Sequence, residues 1–283
     1  MNHREVLDTL ITLALEEDVG PGDVTTLWTV EPGAVGRAFI VAKEAVVVAG
    51  MEAALAVFGR VDSGLELEVE RGDGKEASPQ DSLLRIQGSL RSILTAERTA
   101  LNFLGRLSGI ATRTRRFVQE VEGTGAILLD TRKTTPGWRM LEKEAVRAGG
   151  GGNHRMGLHD MVLVKENHLA AAGGIRAAVE GVKRENRQGL PVEVEVTTLG
   201  ELEEVLKLDV DRVLLDNMSL EQMTRAVKRT RVLGHGRPAL EASGNMTLER
   251  LRSVAETGVD FISVGALTHS APSADLSLRV SQK

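Results

Sequence analysis

The sequence predicts an α/β protein whose two halves differ in organisation. From about residue 126 onward, six short apolar runs appear, and amphipathic helical stretches separate most of them. Up to about residue 122 the pattern is mixed and contains no repeating unit, which indicates an α+β arrangement. Strands that alternate with helices form parallel sheets covered by helices. The sequence therefore predicts a mixed domain followed by a domain built from strand–helix units.

The first half contains a helix, three strand-like runs and a long second helix. Apolar residues recur at the helical period from Val6 to Leu15, which predicts an amphipathic helix. Residues 92–121 predict a long helix in which Ser108-Gly109 is a candidate break. The strand-like runs, separated by Gly, Asp and Pro, are Arg37–Val48, Leu65–Val69 and Leu83–Ile86.

The second half consists of strands that are apolar on both faces, as is typical of parallel strands covered on both sides. A full eight-stranded α/β barrel takes roughly 250 residues. This stretch is much shorter, so we expect either a smaller barrel or an open sheet. The predicted strands are Ala126–Asp130, Met161–Lys165, Val192–Val196, Arg212–Asp216, Ala239–Ser243 and Phe261–Gly265. The predicted helices are Ile175–Asn186, Leu199–Leu208, Leu220–Val232 and Thr247–Thr257.

Composition argues against several classes of protein. With 42% hydrophobic residues, a chain of 283 residues can bury a substantial core. The net charge of -5 argues against a general nucleic-acid binder, and the absence of cysteine excludes disulfides, cysteine-ligated zinc and thiol catalysis. The chain has neither an uncharged apolar run long enough to span a bilayer nor an apolar signal core at its start. We therefore expect a cytoplasmic protein that binds neither nucleic acid nor membrane.

Polar or small residues follow every apolar run of the second half. In α/β barrels the carboxyl ends of the strands carry the active site. One charge after one strand usually marks only the solvated start of a loop, but six such endings indicate a site. These endings are Asp130-Thr131-Arg132-Lys133, Lys165-Glu166-Asn167-His168, Glu193 with Glu195, Asp216-Asn217, Glu241-Ala242-Ser243-Gly244-Asn245 and Ser263-Val264-Gly265.

The early strands contribute cations. Arg132, Lys133 and Lys165 follow the first two strands, and the loop between these strands adds His154 and Arg155. An Arg guanidinium can hold a carboxylate or phosphate through two parallel hydrogen bonds. This group of residues therefore predicts a site for a ligand with several negative charges.

The middle and late strands contribute carboxylates and small residues. Glu195 and Asp216 would repel an anion, so we expect them to hold Mg²⁺ or ribose hydroxyls. Ser243-Gly244-Asn245 and Gly265-Ala266 expose backbone N–H groups, and a helix is predicted to start near Thr247. Such a turn can cradle a phosphate.

The glycine run Gly149–Gly152 is not a nucleoside-triphosphate-binding loop, because no strand precedes it and no Gly-Lys-Ser/Thr follows it. We interpret it as a loop that presents His154 and Arg155. A purely structural role is the alternative for His154, and the sequence assigns no role to His159 or His168.

Eight segments in order along nearly the whole chain resemble quinolinate phosphoribosyltransferases, also called nicotinate-nucleotide pyrophosphorylases (carboxylating). The segments are EEDVGPGDVTT, LTAERTALNFLGRLSGIAT, LDTRKTTPG, EKEAVRAGGGGNHRMGLHDMVLVKENH, VEVEV, LLDN, LEASGN and GVDFISVGALTHSAPSADLSL. The resemblance implies conversion of quinolinate and phosphoribosyl pyrophosphate to nicotinate mononucleotide, pyrophosphate and carbon dioxide in de novo NAD biosynthesis. It implies Mg²⁺ but no organic cofactor.

The resemblance also implies an N-terminal α/β sandwich domain, residues 1–122 joined by the chain end at about 271–283, and a six-stranded α/β barrel, residues 123–270. It implies a homodimer, with higher assembly left open, in which Arg98 of one subunit reaches the quinolinate pocket of the other. The residues implied around the quinolinate carboxylates are Arg132, Lys133, His154, Arg155 and Lys165.

For the second substrate, the resemblance implies that Glu195 and Asp216 face the ribose hydroxyls and Mg²⁺. Lys133 and Lys165 are implied to be catalytic together with these two carboxylates. The residues implied to hold the 5′-phosphate are Ser243, Gly244, Asn245, Gly265 and Ala266. Two positions depart from the family pattern, Trp138 after the Pro-Gly turn and Glu144 after Lys143. Neither carries an implied role, so we expect them to affect only loop packing.

Three alternatives remain at this point. The chain could be a relative with the same fold and another substrate, such as a nicotinate phosphoribosyltransferase or a pyrophosphorylase-like protein of molybdenum-transport operons. A monocarboxylate needs fewer cations than are assembled here, and the joint presence of Arg98, Arg132, Lys133, His154, Arg155 and Lys165 favours quinolinate. The chain could be a non-catalytic phosphosugar-binding sensor. Lys133 or Lys165 could form a Schiff base, but the surrounding Arg and His residues would then have no explanation.

Overall fold

The computed structural model describes residues 2–281, so the predicted domain limits at residues 1, 282 and 283 lie outside the described part of the chain. The chain divides into two units. The first contains the chain up to Arg115, residues 134–150 and the chain from Leu267 onward, and the second contains Arg116–Lys133 and Gly151–Ala266. Residues 134–150 therefore join the first unit, whereas the sequence placed them beyond a boundary near residue 122.

The strands of the first unit are β1 (Val35–Ala42), β2 (Val46–Val47), β3 (Glu66–Val69), β4 (Glu76–Ala77), β5 (Ser82–Ser89) and β12 (Leu276–Val280). Four of them form an antiparallel sheet in the order β12-β1-β5-β3, and β2 pairs with β4. The predicted run Arg37–Val48 is two strands, because the chain bends at residues 43–45. The last strand in sequence, β12, completes the sheet by pairing Leu278 with Ile40 of β1.

The helices of the first unit are α1 (His3–Val19), α2 (Val24–Thr29), α3 (Met51–Val61), the first part of α4 (Leu90–Val121), α5 (Arg139–Ala148) and most of α11 (Ala266–His269). The predicted helix Val6–Leu15 lies within α1. The side chain of Asn2 caps this helix by accepting a hydrogen bond of 3.0 Å from the backbone N–H of Glu5. Leu7 and Ile11 form its buried face.

The candidate break at Ser108-Gly109 was wrong, because α4 is continuous through both residues. Gly109 is required by packing instead. A Cβ atom there would lie 1.9 Å from the carbonyl oxygen of Pro272, so only glycine lets the chain end approach the helix this closely. The buried Ser108 hydroxyl accepts a hydrogen bond of 3.0 Å from the N–H of Ala49.

The two departures from the family pattern take part in local packing within the first unit. The Trp138 ring stacks on Phe103 with centroids 4.6 Å apart. Glu144 Oε1 lies 2.9 Å from Nδ1 of His3, at the start of α1.

The strands of the second unit form one parallel sheet in the order β6-β11-β10-β9-β8-β7. The outer edge of β6 pairs with Gly152, whose N–H donates to the Leu128 carbonyl while its own carbonyl accepts from the N–H of Asp130. The six strands lie within the six predicted runs. They are β6 (Ile127–Leu129), β7 (Val162–Val164), β8 (Val192–Val196), β9 (Arg212–Asp216), β10 (Ala239–Ser243) and β11 (Phe261–Ser263).

Helices connect the strands of this sheet. They are α6 (Glu166–Ala172), α7 (Ile175–Glu185), α8 (Leu199–Val205), α9 (Leu220–Arg231) and α10 (Leu248–Ala255). Buried residues such as Val194, Leu215 and Ile262 give the strands apolar cores. The predicted α/β class, with an N-terminal sheet domain and a C-terminal six-stranded parallel sheet, is thus confirmed. Within residues 2–281, no helix is both long and apolar enough to cross a membrane, and the cytoplasmic location stays a prediction.

Candidate active site

Most of the predicted site residues lie at the carboxyl ends of the parallel strands of the second unit. Asp216 and Ser243 are the last residues of β9 and β10, and the strand register places them opposite each other. Lys165 follows β7 directly and stands at the N-cap position of α6. Because parallel strands end at the same edge of their sheet, these residues share one edge.

Arg132 and Lys133 leave the end of β6 with exposed side chains. The neighbouring Arg155 is buried, and its guanidinium donates a hydrogen bond of 3.1 Å to the carbonyl of Met161. Burial lowers the pKa of Arg155, and the nearby charge of Arg132 lowers it further, whereas Glu193 and Asp160 act in the opposite direction. The guanidinium groups of Arg132 and Arg155 therefore repel each other, and an anionic ligand bound near them would reduce this repulsion.

The segment before β7 is fixed by Asp130, which is fully buried at the end of β6. One oxygen of its carboxylate accepts a hydrogen bond of 2.6 Å from the Asn153 side chain, and the other accepts 2.9 Å from the N–H of His154. The glycine run thus ends in an anchored segment. Asp130 stood in the sequence only as the last residue of a predicted strand, and no sequence signal marked its anchoring role.

Two fully buried glutamates, Glu193 on β8 and Glu241 on β10, lie near His154. The imidazole Nε2 is 3.0 Å from Glu193 Oε2 and 3.5 Å from Glu241 Oε1. Arg212 of β9 donates a hydrogen bond of 2.7 Å to Glu241 Oε2 and stacks 4.0 Å above the Phe261 ring. The sequence marked both glutamates as strand-end charges but assigned them no role.

Burial raises the pKa of Glu193 to about 7, against the opposing effect of the Arg212 charge. The pKa of Glu241 is also raised, first by burial and then by the charge of Glu193, while His154 and Arg212 oppose the shift. Such shifts occur when carboxylates are withdrawn from water and placed close together.

Glu195 and Asp216 project from the same face of adjacent strands, because Glu195 pairs with Leu214 and Asp216 lies two residues further along β9. Glu195 Oε2 is 3.6 Å from Lys165 Nζ, which brings two predicted site residues together. Asp216 Oδ2 accepts a hydrogen bond of 2.7 Å from the Asn217 side chain.

The turn Ser243-Gly244-Asn245 has an unusual backbone that Asn217 supports. Gly244 and Asn245 adopt φ values of 94° and 48°, and a Cβ atom on Gly244 would lie 2.2 Å from Asn217 Oδ1. The Asn217 N–H donates to the Ser243 carbonyl at 3.0 Å, and Asn245 Nδ2 donates to Asn217 Oδ1 at 3.3 Å. A helix, α10, follows the turn from Leu248.

The remaining predicted residues have simpler positions. Gly265 follows β11, and Ala266 is the first residue of α11. Arg98 is exposed on α4, in the first unit, where its charge partly offsets the burial that raises the pKa of Glu97. His168 has a structural contact, since its Nδ1 accepts a hydrogen bond of 3.0 Å from the N–H of Lys165.

Family comparison covers almost the entire chain. A family model described as quinolinate phosphoribosyl transferase, N-terminal domain, matches residues 23–108, and the corresponding C-terminal domain matches residues 110–279. A probable nicotinate-nucleotide pyrophosphorylase (carboxylating) from Synechocystis is 41% identical, covering 97% of this chain and 92% of its own.

Similar figures hold for a plant protein and for a solved structure. Quinolinate phosphoribosyltransferase (decarboxylating) 1b of Nicotiana tabacum is 41% identical over 97% of this chain and 82% of its own. The solved nicotinate-nucleotide pyrophosphorylase of Francisella tularensis superimposes with a TM-score of 0.94 at 40% identity, covering 99% of this chain and 98% of that one.

Proposed function

The chain belongs to the quinolinate phosphoribosyltransferase family, and we propose that it joins quinolinate to phosphoribosyl pyrophosphate, releasing pyrophosphate and carbon dioxide. The product is nicotinate mononucleotide, a precursor of NAD. The observation that carries this function is the set of groups at the carboxyl ends of the parallel strands: carboxylates on β8 and β9, a glycine turn after β10, and cations after the outer strands β6 and β7. A ribose with its metal ion, a terminal phosphate and a pyridine dicarboxylate require these three kinds of group.

In this proposal the quinolinate carboxylates bind among the cations of the early strands. Arg132 and Lys133 have exposed side chains after the end of β6, and Lys165 stands at the start of α6. Arg155 adds a second guanidinium whose repulsion from Arg132 a dianion would offset. His154 is the remaining residue proposed to bind the quinolinate carboxylates. Lys133 and Lys165 are the proposed catalytic cations, because their ammonium groups would lie near the reacting atoms, where charge is redistributed during the reaction.

Glu195 and Asp216 are the proposed ligands of Mg²⁺ and of the ribose hydroxyls. Two carboxylates on one face of adjacent strands supply the hard oxygen donors that Mg²⁺ prefers, and leave its other positions to water and substrate oxygens. Bound there, the ion would supply charge stabilisation to the departing pyrophosphate. Lys165, 3.6 Å from Glu195, would hold the same carboxylate in place.

The proposed 5′-phosphate site combines Ser243, Gly244 and Asn245 with Gly265 and Ala266. Positive φ angles at successive residues, as at Gly244 and Asn245, are typical of turns whose N–H groups bind an anion. The start of α10 lies three residues beyond Asn245 and adds the favourable end of a helix dipole.

The reaction requires positioning more than proton transfer. The pyridine nitrogen forms a bond to the anomeric carbon while the bond from that carbon to the pyrophosphate oxygen breaks, through a transition state that resembles an oxocarbenium ion. Both reactants are anions. Fixed cations such as Arg132 and Lys165 therefore offset their repulsion and hold them in line, which can supply several kcal/mol.

Loss of carbon dioxide then follows from the new charge on the ring. Once bonded to the sugar, the pyridine nitrogen is cationic, so it stabilises the electron pair left when the adjacent carbon–carboxylate bond breaks. A proton takes the place of the carboxylate at that carbon. The substrate ring itself acts as the electron sink, and the mechanism has no step that needs an organic cofactor.

We further propose that the active form is at least a homodimer in which Arg98 enters the quinolinate pocket of a second copy. The exposed position of this arginine on α4 supports the proposal. An exposed arginine can extend its guanidinium to a carboxylate bound on a neighbouring copy.

The test is carbon dioxide release from carboxyl-labelled quinolinate. We expect label release with equal amounts of pyrophosphate and nicotinate mononucleotide, and none when phosphoribosyl pyrophosphate or Mg²⁺ is omitted. Faster consumption of nicotinate than of quinolinate would assign another substrate. Binding of both substrates without turnover would instead indicate a sensor.

A further inference from the structure

Glu193 and Glu241 lie on the same strands as proposed site residues but farther from the carboxyl ends of those strands. Each precedes a proposed site residue on its own strand by two positions, Glu193 before Glu195 and Glu241 before Ser243, so each shares a face with that residue. Both side chains are fully buried. Within the described residues, neither Glu193 oxygen has a hydrogen-bond partner of normal geometry, nor does Glu241 Oε1. Carboxylates buried in this way are costly, so their presence needs an explanation.

The explanation begins with His154, whose two ring nitrogens both face the protein. Nδ1 accepts a hydrogen bond of 2.7 Å from the backbone N–H of Arg155. Nε2 then carries the proton and lies 3.0 Å from Glu193 and 3.5 Å from Glu241. The imidazole therefore joins the buried carboxylates to the backbone of Arg155, a predicted quinolinate ligand.

The two buried glutamates already have positively charged neighbours. Arg212 donates to Glu241 at 2.7 Å, and the charges of Arg212 and Arg155 both act on Glu193. Although His154, Glu193 and Glu241 are close enough together to ligate a metal ion, a divalent cation there would lie beside these guanidinium groups. A charge-balanced support fits the surroundings better than a metal site.

We propose that Glu193 and Glu241 are positioning residues for quinolinate: they hold the His154 ring, and through it Arg155, in the arrangement that receives the carboxylates. The proposal rests on the proposed function. It assigns these glutamates no contact with substrate. Their effect passes through the orientation of His154 and the placement of Arg155.

This role and simple electrostatics predict opposite results when one glutamate is neutralised. By Coulomb's law alone, removing a negative charge beside a site for a dianion strengthens binding of the dianion. If the glutamate positions His154, its loss releases the ring and Arg155, and binding weakens. A displacement of the order of 1 Å can cost about 10²-fold in rate.

The experiment compares Glu193→Gln and Glu241→Gln with the wild-type full-length protein. We expect the KM for quinolinate to rise about tenfold or more in each variant, while the KM for phosphoribosyl pyrophosphate changes by less than about twofold. The matched control is Glu256→Gln, which neutralises an exposed glutamate that pairs with Arg252 on the same helix end and should leave both constants unchanged. An unchanged or lower KM for quinolinate in the two variants would overturn the proposal.

The histidine tautomer gives a second measurement that needs no folded glutamate variant. In the ¹⁵N spectrum of the wild-type protein, the His154 signals, identified by their loss in His154→Asn, should show a protonated Nε2 and an unprotonated Nδ1. A proton on Nδ1, or Mn²⁺ located by anomalous scattering between the two glutamates, would refute the proposal. If the wild-type protein neither binds nor consumes quinolinate, the proposed function is wrong. If the wild-type protein is active and both glutamate variants keep its KM for quinolinate, only this inference is wrong.

Discussion

Asp130 illustrates how a single buried carboxylate organises the candidate site. It accepts hydrogen bonds from the Asn153 side chain and from the His154 backbone, in the segment where the glycine run ends. Hydrogen bonds to a charged acceptor are stronger than neutral ones. The position of His154 and Arg155 therefore depends on a residue that we do not expect to touch substrate.

Lys165 provides the most direct test at the residue scale. Lys165→Ala removes a cation near Glu195 but keeps the backbone N–H that bonds His168. We expect kcat/KM for quinolinate to fall by about 10²–10³-fold, with the circular dichroism spectrum and thermal midpoint retained. Lys183→Ala, which removes an exposed lysine 3.5 Å from Asp209, is the control and should keep wild-type activity. Near-normal turnover of Lys165→Ala would remove this residue from the site.

Gly244 tests the phosphate turn. In Gly244→Ala the new methyl group would meet Asn217 Oδ1 at 2.2 Å, on a backbone whose φ of 94° already disfavours any side chain. We expect the KM for phosphoribosyl pyrophosphate to rise by about tenfold or more.

The control for this change is Gly181→Ala on α7, where a Cβ atom would meet nothing nearer than 3.7 Å. That variant should keep its kinetics and gain roughly 0.5–1 kcal/mol of stability. Equal kinetics in the two alanine variants would argue against a phosphate at the Gly244 turn.

At the scale of elements, Asp260 links three strands at their amino ends. Its carboxylate pairs with both terminal nitrogens of Arg237 and accepts from the N–H of Leu240, while its carbonyl accepts from Ile127. Partial burial raises the pKa of this carboxyl, but the hydrogen bonds from Arg237 and Leu240 outweigh it and hold the pKa below its ordinary value of 3.8. The charged form therefore stabilises the folded sheet.

Asp260→Asn should lower the free energy of unfolding by about 1–3 kcal/mol at neutral pH. Because the folded pKa is the lower one, this contribution is present above the unfolded value of 3.8 and is lost as the pH falls through the folded pKa. Denaturant titrations at neutral pH and near pH 3 should thus show a difference that shrinks in acid. The control Asp209→Asn changes a 95% exposed carboxylate and should have little effect at either pH. A pH-independent difference would contradict this account.

The sequence predicted the strands of the second unit because each is a short, nearly continuous apolar run between helical stretches. It could not explain Gly109, because the reason for that glycine is the carbonyl of Pro272, far along the chain. The alternation of valine and glutamate in VEVEV did not reveal that Glu193 is buried, because the same alternation is typical of a strand with one face in water. Local patterns locate elements and strand ends; they do not reveal which polar residues are buried together.

At the scale of the whole molecule, the central prediction is that Arg98 acts in a second copy. Arg98→Ala and Lys165→Ala should each lose most of their activity alone, since each site would lack one cation. When the two are mixed and re-dimerised, some dimers contain one site with both residues intact, so part of the activity should return. Mass spectrometry of differently tagged subunits would verify the mixed dimers. No recovery in verified mixed dimers would place Arg98 outside a shared site.

The pairing of β12 with β1 has a consequence for the rate of folding. The edge strand of the first sheet consists of residues 276–280, whereas its partner β1 consists of residues 35–42. Strands so far apart in the sequence must close a long loop, and the entropy of that closure is lost before the pairing can stabilise the chain. We therefore expect this sheet to be completed slowly, after the strand–helix units of the second unit, whose contacts are local in sequence.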